Sequence, residues 1–338
     1  MTKISLALQG GGAHGAYTWG VLDRILEDGR LEIAAISGTS AGALNGAALK
    51  AGLVAGGREA ARKRLRRLWE SIGDIGDFRV LLPWFQPMMP IMRLMQEAGE
   101  AMLPFSASGI AAQIYSPYSW GDAWQNPLAP VVADLDFSQV CTDAGPALFI
   151  GATNVRTGKA RVFTGSEISP EALMASACLP SVFQAVEIDG EAYWDGGFAG
   201  NPSLWPLYDR DLPDDILIIH VNPLRRDEVP ETPLGIQNRV NEISFNATLL
   251  SELRSVAFVK RLIAEGRIER GQMKDLHIHL ILDDALMNAL SAGSKLQPSS
   301  ALISRLFEAG RASGDAFLAE CGAKIGHESS ADLAALFG

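Results

Sequence analysis

The chain has 338 residues, a formal net charge of −10 at pH 7 and a hydrophobic fraction of 48%. This size and composition allow one large domain or two small ones with a sizeable core, and the acidic balance disfavours nucleic acid as the main partner. The three widely spaced cysteines form no Cys-x-x-Cys pair, which indicates reduced thiols and a cytoplasmic setting, and no apolar run reaches the roughly 18 residues of a transmembrane segment.

The first part of the chain alternates short apolar runs with helical patterns. Residues 4–8 are a predicted strand, which begins too early to leave room for a signal peptide. A glycine loop follows, with the sequence Gly10-Gly11-Gly12-Ala13-His14-Gly15. The next predicted elements are a helix over 16–28, a strand over 33–36, a small-residue helix over 41–52 and a basic helix over 58–71.

Residues 78–124 differ in character from the rest of the chain. They concentrate aromatic, Met and Pro residues and have no sustained helix or strand periodicity, which predicts an irregular insertion. Two hypotheses for this insertion stay open: an apolar lid or acyl-chain groove, and the core of a second small lobe. The lid hypothesis expects Trp84, Phe85 and Met88 to govern access for long acyl chains, because Met-rich apolar surfaces adapt to varied ligands.

Regular structure is predicted again from residue 146 onwards. A strand over 146–155 is expected to pair with 161–164, and Ser169 and Pro170 are typical of the start of a short helix. The dipeptide Asp189-Gly190 between two strand-like runs indicates a hairpin, whose second strand ends at Asp195-Gly196-Gly197. The remaining predicted elements are strands over 216–221 and 276–282 and helices over 245–265 and 299–320.

This alternation of strands and helices predicts an α/β sandwich with a largely parallel sheet. The best candidate for a boundary is the charged, Pro-containing stretch 223–233. It would separate a catalytic domain at 4–222, which carries the insertion, from a C-terminal α/β extension at 223–338. The extension is also compatible with a continuation of the core.

A Gly-x-Ser-x-Gly pattern lies between the predicted strand at 33–36 and the helix at 41–52. Its residues are Gly38-Thr39-Ser40-Ala41-Gly42. Strand, sharp turn and helix are the context of a nucleophile elbow, in which the turn exposes a serine hydroxyl near free helical N–H groups. Ser40 is therefore a candidate nucleophile. The alternative is an ordinary glycine-lined turn that packs against a neighbour.

The glycine loop fits two different motifs. As Gly-x-Gly-x-x-Gly it would bind a dinucleotide, but that requires an acidic residue at the end of the next strand, and Glu32 stands at the start of that strand instead. The second interpretation is a set of bare N–H groups that form an oxyanion hole beside an exposed serine. We favour the second and expect no cofactor.

Ser40 requires a base, and the chain offers histidines and a carboxylate. His220 lies inside an apolar run and is interpreted as a packed strand histidine. His277 and His279 alternate along one strand face, which fits a structural pair or a weak metal site, but no third ligand is suggested nearby, so no metal is predicted. The carboxylate is Asp195, whose alternative interpretation is a plain Asp-Gly turn.

Three of these motifs, in this order, resemble the patatin-like phospholipase family: the glycine loop, the pattern around Ser40, and Asp195-Gly196-Gly197. The stretch 175–183 is similar as well, so that the resemblance covers residues 4–222. It implies a three-layer α/β/α sandwich and a Ser-Asp dyad without histidine. It assigns Ser40 as nucleophile, Asp195 as base, Gly10, Gly11 and Gly12 as the oxyanion hole, and Gly15, Gly38, Ala41, Gly42, Gly196 and Gly197 as supporting motif residues.

The resemblance implies a lipid acyl hydrolase that cleaves carboxylic esters of phospholipids or related acyl esters through an acyl-enzyme. The alternatives are a carboxylesterase or acyl-polyester hydrolase that does not act on phospholipid, and a non-catalytic lipid- or protein-binding member of the fold. His14 departs from the Arg or Lys that the family often has there, and a neutral His14 would give an oxyanion less electrostatic help. The basic helix fits either a peripheral contact with a membrane surface or a solvated face.

Overall fold

The computed structural model describes residues 1–78, 117–118, 126–269, 271–290 and 292–337. Almost all of the predicted insertion at 78–124 therefore lies outside the described residues, including Trp84, Phe85 and Met88. The lid and the second lobe both stay predictions.

In the described part of the chain, the centre of the molecule is an eight-stranded sheet. Its strands are β1 (Thr2–Leu8), β2 (Leu31–Thr39), β3 (Ala147–Asn154), β4 (Ala160–Thr164), β5 (Val186–Ile188), β6 (Glu191–Asp195), β7 (Asp215–Ile219) and β8 (His277–Ile281). The spatial order is β5-β6-β3-β2-β1-β7-β8, and β4 also pairs with β3. The run from β3 through β2, β1 and β7 to β8 is parallel, while β4, β5 and β6 pair antiparallel. The predicted, largely parallel sheet is confirmed.

The helices flank this sheet. They are α1 (Gly15–Asp28), α2 (Ala41–Phe78), α3 (Ala129–Ala133), α4 (Phe137–Val140), α5 (Pro170–Ser176), α6 (Pro233–Ala264), α7 (Asp284–Ala289), α8 (Ser300–Glu320) and α9 (Leu333–Phe337). The backbone of α2 is not helical at Gly56 and Gly57, so α2 consists of two helices joined at a kink. These two correspond to the predicted small-residue helix and basic helix.

Each face of the sheet is covered by its own helical layer. The side chains of Leu6, Leu8 and Leu217 pack into a core with α1, α2 and α8. The alternate residues of the same strands, among them Ala7 and Ile216, pack on the opposite side with α6 and α9. Because neighbouring side chains of a strand point to opposite faces, buried strands of this kind are apolar throughout. The implied three-layer α/β/α sandwich is confirmed.

The C-terminal part of the chain joins the same sheet. Strand β8 pairs in parallel with β7, and α8 packs closely against α1. A Cβ on Gly20 of α1 would meet the carbonyl oxygen of Phe307, which shows how near the two helices lie.

No helix in the described ranges is both long enough and apolar enough to cross a bilayer.

Two local predictions had different outcomes. The Asp189-Gly190 hairpin is confirmed: both residues have left-handed φ values, of 53° and 77°, as the favoured two-residue turn requires. The predicted start of α6 is wrong, because the helix begins at Pro233 rather than at residue 245. Thr232 caps it by accepting the N–H of Gly235, and Pro occupies the first turn. The stretch interpreted as a boundary is thus partly a helix start.

Candidate active site

Ser40 forms the turn that joins β2 to α2. Its φ is 54°, a left-handed backbone that costs a non-glycine residue about 1–3 kcal/mol. Local hydrogen bonds hold this geometry: the Ser40 N–H donates to Ser176 Oγ at 2.9 Å, and Ser176 Oγ donates to the Gly151 carbonyl at 2.6 Å. Ser176 belongs to α5, which therefore buttresses the turn. The strand, strained turn and helix that the motif predicts are present.

The supporting glycines lie where backbones meet. A Cβ on Gly42 would collide with the Leu8 carbonyl, and a Cβ on Gly15 would come within 2.6 Å of Ala41 Cβ. A Cβ on Gly38 would likewise come within 2.6 Å of the Gly42 carbonyl oxygen. These contacts bring the ends of β1 and β2 and the starts of α1 and α2 together. The glycine loop and the Ser40 turn therefore lie side by side at the carboxyl ends of the parallel strands β1 and β2.

Asp195 is the last residue of β6 and lies near the Ser40 turn. Along β3, Gly151 pairs with Thr39 and the next residue, Ala152, pairs with Asp195. The Asp195 N–H donates to the Cys178 carbonyl at 2.8 Å. Burial, followed by the charge of Asp195, raises the pKa of the Cys178 thiol to about 12, so this cysteine stays protonated and is no rival nucleophile.

The Asp195 carboxylate is cut off from water, with 1% of the residue exposed. Burial raises its pKa from 3.8 to about 6, and the Gly197 N–H and the Ser40 hydroxyl oppose that rise. Oδ1 accepts the Gly197 N–H at 2.8 Å. Oδ2 is buried, and no described group donates a hydrogen bond of ordinary geometry to it. The carboxylate thus interacts with Ser40 and keeps one oxygen available for a proton.

The glycine loop lies directly against Ser40. A Cβ on Gly10 would come within 2.7 Å of Ser40 Cβ. The Gly10 N–H already donates to Asn201 Oδ1 at 2.7 Å, so its role as an oxyanion donor stays a prediction. Within the described residues, no hydrogen bond uses the N–H groups of Gly11 or Gly12. Gly12 has a left-handed φ of 58°. Gly11 and Gly12 are therefore the candidate donors whose N–H groups have no described partner.

Amide side chains that the motifs do not include hold this loop. Gln9 Oε1 accepts the N–H groups of Val221 and Asn222, both at 2.9 Å, and Asn222 Nδ2 donates to the Gly10 carbonyl at 2.8 Å. Gln9 Nε2 donates to Asn246 Oδ1 at 3.0 Å. Sequence reasoning missed these residues. The available signal was that Gln9 and Asn222 are polar residues placed just after two buried strands.

The histidines near the loop are neutral. Burial, followed by the charge of Lys295, lowers the pKa of His14 to about 3, and His14 Nε2 lies 2.8 Å from Ser294 Oγ. Burial lowers the pKa of His220 to about 4, and its side chain interacts with Asn246. Among the described contacts, none joins His220 to Ser40 or Asp195. The geometry therefore favours the carboxylate over His220 as the base.

The other histidine pair lies at the far edge of the sheet. His279 Nε2 and His277 Nδ1 lie 2.9 Å and 3.5 Å from Asp215 Oδ1, where β7 and β8 begin. Across the described ranges, no group of three or more His, Cys, Asp or Glu side chains is placed to hold a metal ion. The pair is part of the local hydrogen bonding, since His279 Nδ1 also contacts Ser330 Oγ at 3.0 Å.

The basic helix, the second half of α2, is largely paired within the molecule. Arg62 bridges to Asp23 at 2.9 Å, and Arg67 contacts Asp134 at 2.6 Å. Lys63 and Arg66 are exposed. This pairing favours a solvated, ion-paired face, and membrane contact stays a prediction.

Comparisons with known proteins match this chain to one family model. A family model described as patatin-like phospholipase matches residues 6–208, more than half of the chain. No curated protein matches the sequence. Among solved structures, VipD from Legionella pneumophila is 16% identical with a TM-score of 0.41, and the match covers 94% of this chain and 67% of that one. The ExoU–SpcU complex from the type III secretion system of Pseudomonas aeruginosa is 22% identical with a TM-score of 0.31, and covers 73% and 50%.

Proposed function

The chain belongs to the patatin-like phospholipase family, and from that premise we propose that it is a lipid acyl hydrolase with Ser40 as nucleophile and Asp195 as base. The substrate class is a carboxylic ester of a phospholipid or a related acyl ester. The family match supports lipid hydrolysis in general, and the dyad and the ester substrate are our proposal.

The observation that carries the proposal is the meeting of a strained serine with a buried carboxylate. A solvated Asp has a pKa of about 3.9, which makes it a weak base near neutral pH. Burial lifts the pKa of Asp195 to about 6, closer to the working pH. The carboxylate can then accept the hydroxyl proton in the transition state and return it later.

The reaction divides into two acyl transfers. Ser40 Oγ attacks the ester carbonyl while its proton moves to Asp195, and the N–H groups of Gly11 and Gly12 stabilise the oxyanion. The carbon–oxygen bond to the alcohol breaks, and Asp195 protonates the leaving alkoxide. A water molecule then attacks the acyl-enzyme and gives a proton to Asp195. Asp195 passes that proton to Ser40 Oγ as the bond to the acyl carbon breaks, and the carboxylic acid is released.

Apolar side chains next to Asp195 support a lipid-like substrate. Phe198 follows the Asp195 turn, is 38% exposed, and packs edge-on against Phe245 of α6 with ring centroids 5.1 Å apart. Phe245 also lies against Gly197, where a Cβ would come within 3.1 Å of its ring. A partly exposed aromatic wall beside the base is suited to an acyl chain, since each buried methylene contributes about 0.8 kcal/mol.

A fluorophosphonate probe and an ester panel test the proposal together. The probe should label Ser40, and Ser40→Ala and Asp195→Asn should each lose most hydrolysis of phospholipid and simple acyl esters, with the double variant little worse because the pair acts as a unit. Asp189→Asn is the matched control, because it alters an exposed acid in a hairpin turn and should keep full activity.

Two results would overturn the dyad. Unlabelled, fully active Ser40→Ala protein would remove Ser40 as nucleophile. A folded His220→Gln variant that loses nearly all activity would replace the dyad by a triad. Hydrolysis of simple esters without phospholipid cleavage would instead keep the dyad and shift the substrate to the carboxylesterase alternative.

A further inference from the structure

A short turn from outside the matched family range packs on the glycine loop. It is the 3-10 turn Ala292–Leu296, which follows α7. Ser294 Oγ lies 2.8 Å from His14 Nε2. The carbonyl oxygen of Lys295 lies so near Gly12 that a Cβ on this glycine would collide with it. The loop that faces Ser40 is thus covered from behind by residues far away in sequence.

The Lys295 side chain continues into the molecule and reaches the loop again. Its Nζ donates to Asn222 Oδ1 at 2.6 Å, and Asn222 Nδ2 donates to the Gly10 carbonyl at 2.8 Å. Only 19% of the lysine side chain is exposed. Two hydrogen bonds therefore connect a half-buried ammonium to Gly10, on which a Cβ would come within 2.7 Å of Ser40 Cβ.

Lys295 shares its nearest carboxylate with two arginines, which also interact with Asp284. Glu242 of α6 lies 3.7 Å from its Nζ, but the same carboxylate also pairs with Arg226 at 2.6 Å and with Arg239 at 3.3 Å. His14, which is part of the loop, is neutral. The Lys295 ammonium is therefore the cation that the local hydrogen bonds join to the glycine loop.

We propose that Lys295 is a positioning residue, which acts through Asn222 to hold the glycine loop so that the N–H groups of Gly11 and Gly12 meet the oxyanion at Ser40. The inference rests on the proposed acyl transfer. It extends the catalytic machinery beyond residue 208, where the family match ends. A preorganised loop does not have to reorganise as charge develops, and that is the basis of oxyanion stabilisation.

The proposal has a consequence for pH dependence. Burial lowers the pKa of Lys295 to about 8; Glu242 opposes that fall and Arg226 adds to it. The neutral His14 contributes no charge there. As the pH rises above about 8, Lys295 loses its proton and the positive charge behind the loop disappears, so kcat should decline on the alkaline side.

Three variants test the role of Lys295 on a chromogenic acyl ester. Lys295→Met should lower kcat about tenfold to 100-fold with little change in KM. This loss is smaller than the loss expected on removal of an oxyanion donor itself, because the donors remain and only their positioning changes. Lys295→Arg should recover most of kcat and move the alkaline decline to higher pH. The control is Lys274→Met, which removes another half-buried lysine, bonded to the carbonyls of Asp209 and Leu212 at 2.6 and 2.8 Å near the start of β7.

The control separates positioning from stability, because Lys274→Met should lower the urea midpoint and leave kcat unchanged. Wild-type kcat in a folded Lys295→Met variant would overturn the proposal. If that variant does not fold, an unchanged alkaline decline in Lys295→Arg overturns it equally. Ser40→Ala, measured alongside, separates failure of the proposed function from failure of the Lys295 proposal. Full activity in Ser40→Ala would contradict the proposed function. An inactive Ser40→Ala together with wild-type kcat in Lys295→Met would contradict only the role of Lys295.

Discussion

At the scale of single residues, the two candidate catalytic groups are both held in unfavourable states. Ser40 keeps a φ of 54°, and Asp195 keeps a carboxylate away from water. The hydrogen bonds of Ser176 and Gly197 compensate only in part. Strained or desolvated groups that the surroundings fix in place are typical of functional sites, because the same features that reduce stability prepare the reaction.

The raised pKa of Asp195 predicts that Asp195→Asn is inactive and yet more stable than the wild type at neutral pH. A carboxyl with a folded pKa near 6 and an unfolded value of 3.8 binds more protons when folded, so wild-type stability falls as pH rises between these values and stays low above them. The Asn side chain carries no such cost. The gain should approach about 2–3 kcal/mol at pH 7 and vanish below about pH 4.

Urea unfolding of both proteins across that pH range measures the difference. The wild-type kcat/KM should rise with pH through the same region, because the free carboxylate is the active form. Equal stability of Asp195→Asn and wild type at every pH would mean that Asp195 is ionised at little cost, and the argument for a strengthened base would fail.

Sequence motifs indicated the candidate reacting residues but not the residues that hydrogen-bond to them. Ser40, Asp195 and the glycines occur at fixed spacings next to a strand or turn, so a pattern can find them. Ser176, Asn201 and Asn222 form side-chain hydrogen bonds to partners far away in the chain. A lone Ser or Asn has no spacing that indicates such a contact, and it emerges only when β3, β1 and β7 are placed side by side.

At the scale of elements, the glycine loop is packed too tightly to accept a side chain. A Cβ on Gly11 would lie 2.7 Å from Cγ2 of Val221, a buried residue just after β7. We predict that Gly11→Ala lowers turnover roughly 100-fold, as for one displaced oxyanion donor, and destabilises the protein by about 1–3 kcal/mol through overpacking. The motif alone suggests a small stability effect, and the contact with Val221 changes that expectation.

A double-mutant cycle with Val221→Ala checks the cause. Val221→Ala makes room for the added methyl group, so it should destabilise the Gly11→Ala protein less than it destabilises the wild type, and part of the turnover should return. Additive losses in urea unfolding would show that the new methyl group does not meet Val221.

Helix boundaries were less predictable than helix identity. The N-cap Thr232 and Pro233 are a recognisable helix start. The first turns of α6 nevertheless carry exposed Ile236, Val240 and Ile243, which obscure the amphipathic pattern from which a helix is inferred. The β-strands were easier, because β1, β7 and β8 are buried on both faces and appear as short apolar runs.

At the scale of the whole molecule, residues beyond the matched range join the sheet and contact the glycine loop. Strand β8 extends the sheet at β7, α8 covers α1, and Lys295 reaches the glycine loop. The sequence predicted these elements individually, but not their attachment to the core, because parallel strand order and helix contacts depend on long-range packing. The predicted division at 223–233 is therefore still a proposal about domains rather than an observed gap in the packing.

Ion pairs centred on Asp23 join α1 to α2 and α8, and a substitution of Asp23 tests how strongly α8 is attached to the core. Asp23 of α1 is 3% exposed and bonds Arg62 of α2, at 2.9 Å, as well as Arg311 of α8. Arg62 and Arg311 are 23% and 26% exposed and both also pair with Glu27, so Asp23→Asn removes charge-assisted hydrogen bonds without leaving either arginine unpaired. It should lower the free energy of unfolding by about 1–3 kcal/mol. The exposed pair between Arg24 and Asp315 also links α1 to α8 and provides the control; Asp315→Asn should cost about 1 kcal/mol or less.

Urea unfolding followed by tryptophan fluorescence distinguishes two outcomes for Asp23→Asn. A single transition shifted to lower urea means that α8 unfolds together with the α1–α2 layer, as expected if residues 223–338 belong to the core. A separate early transition in the variant would mean that α8 detaches first and that the C-terminal part is an independent unit. In that second case Lys295 would leave the glycine loop at the early transition, and ester hydrolysis should be lost before the rest of the sheet unfolds.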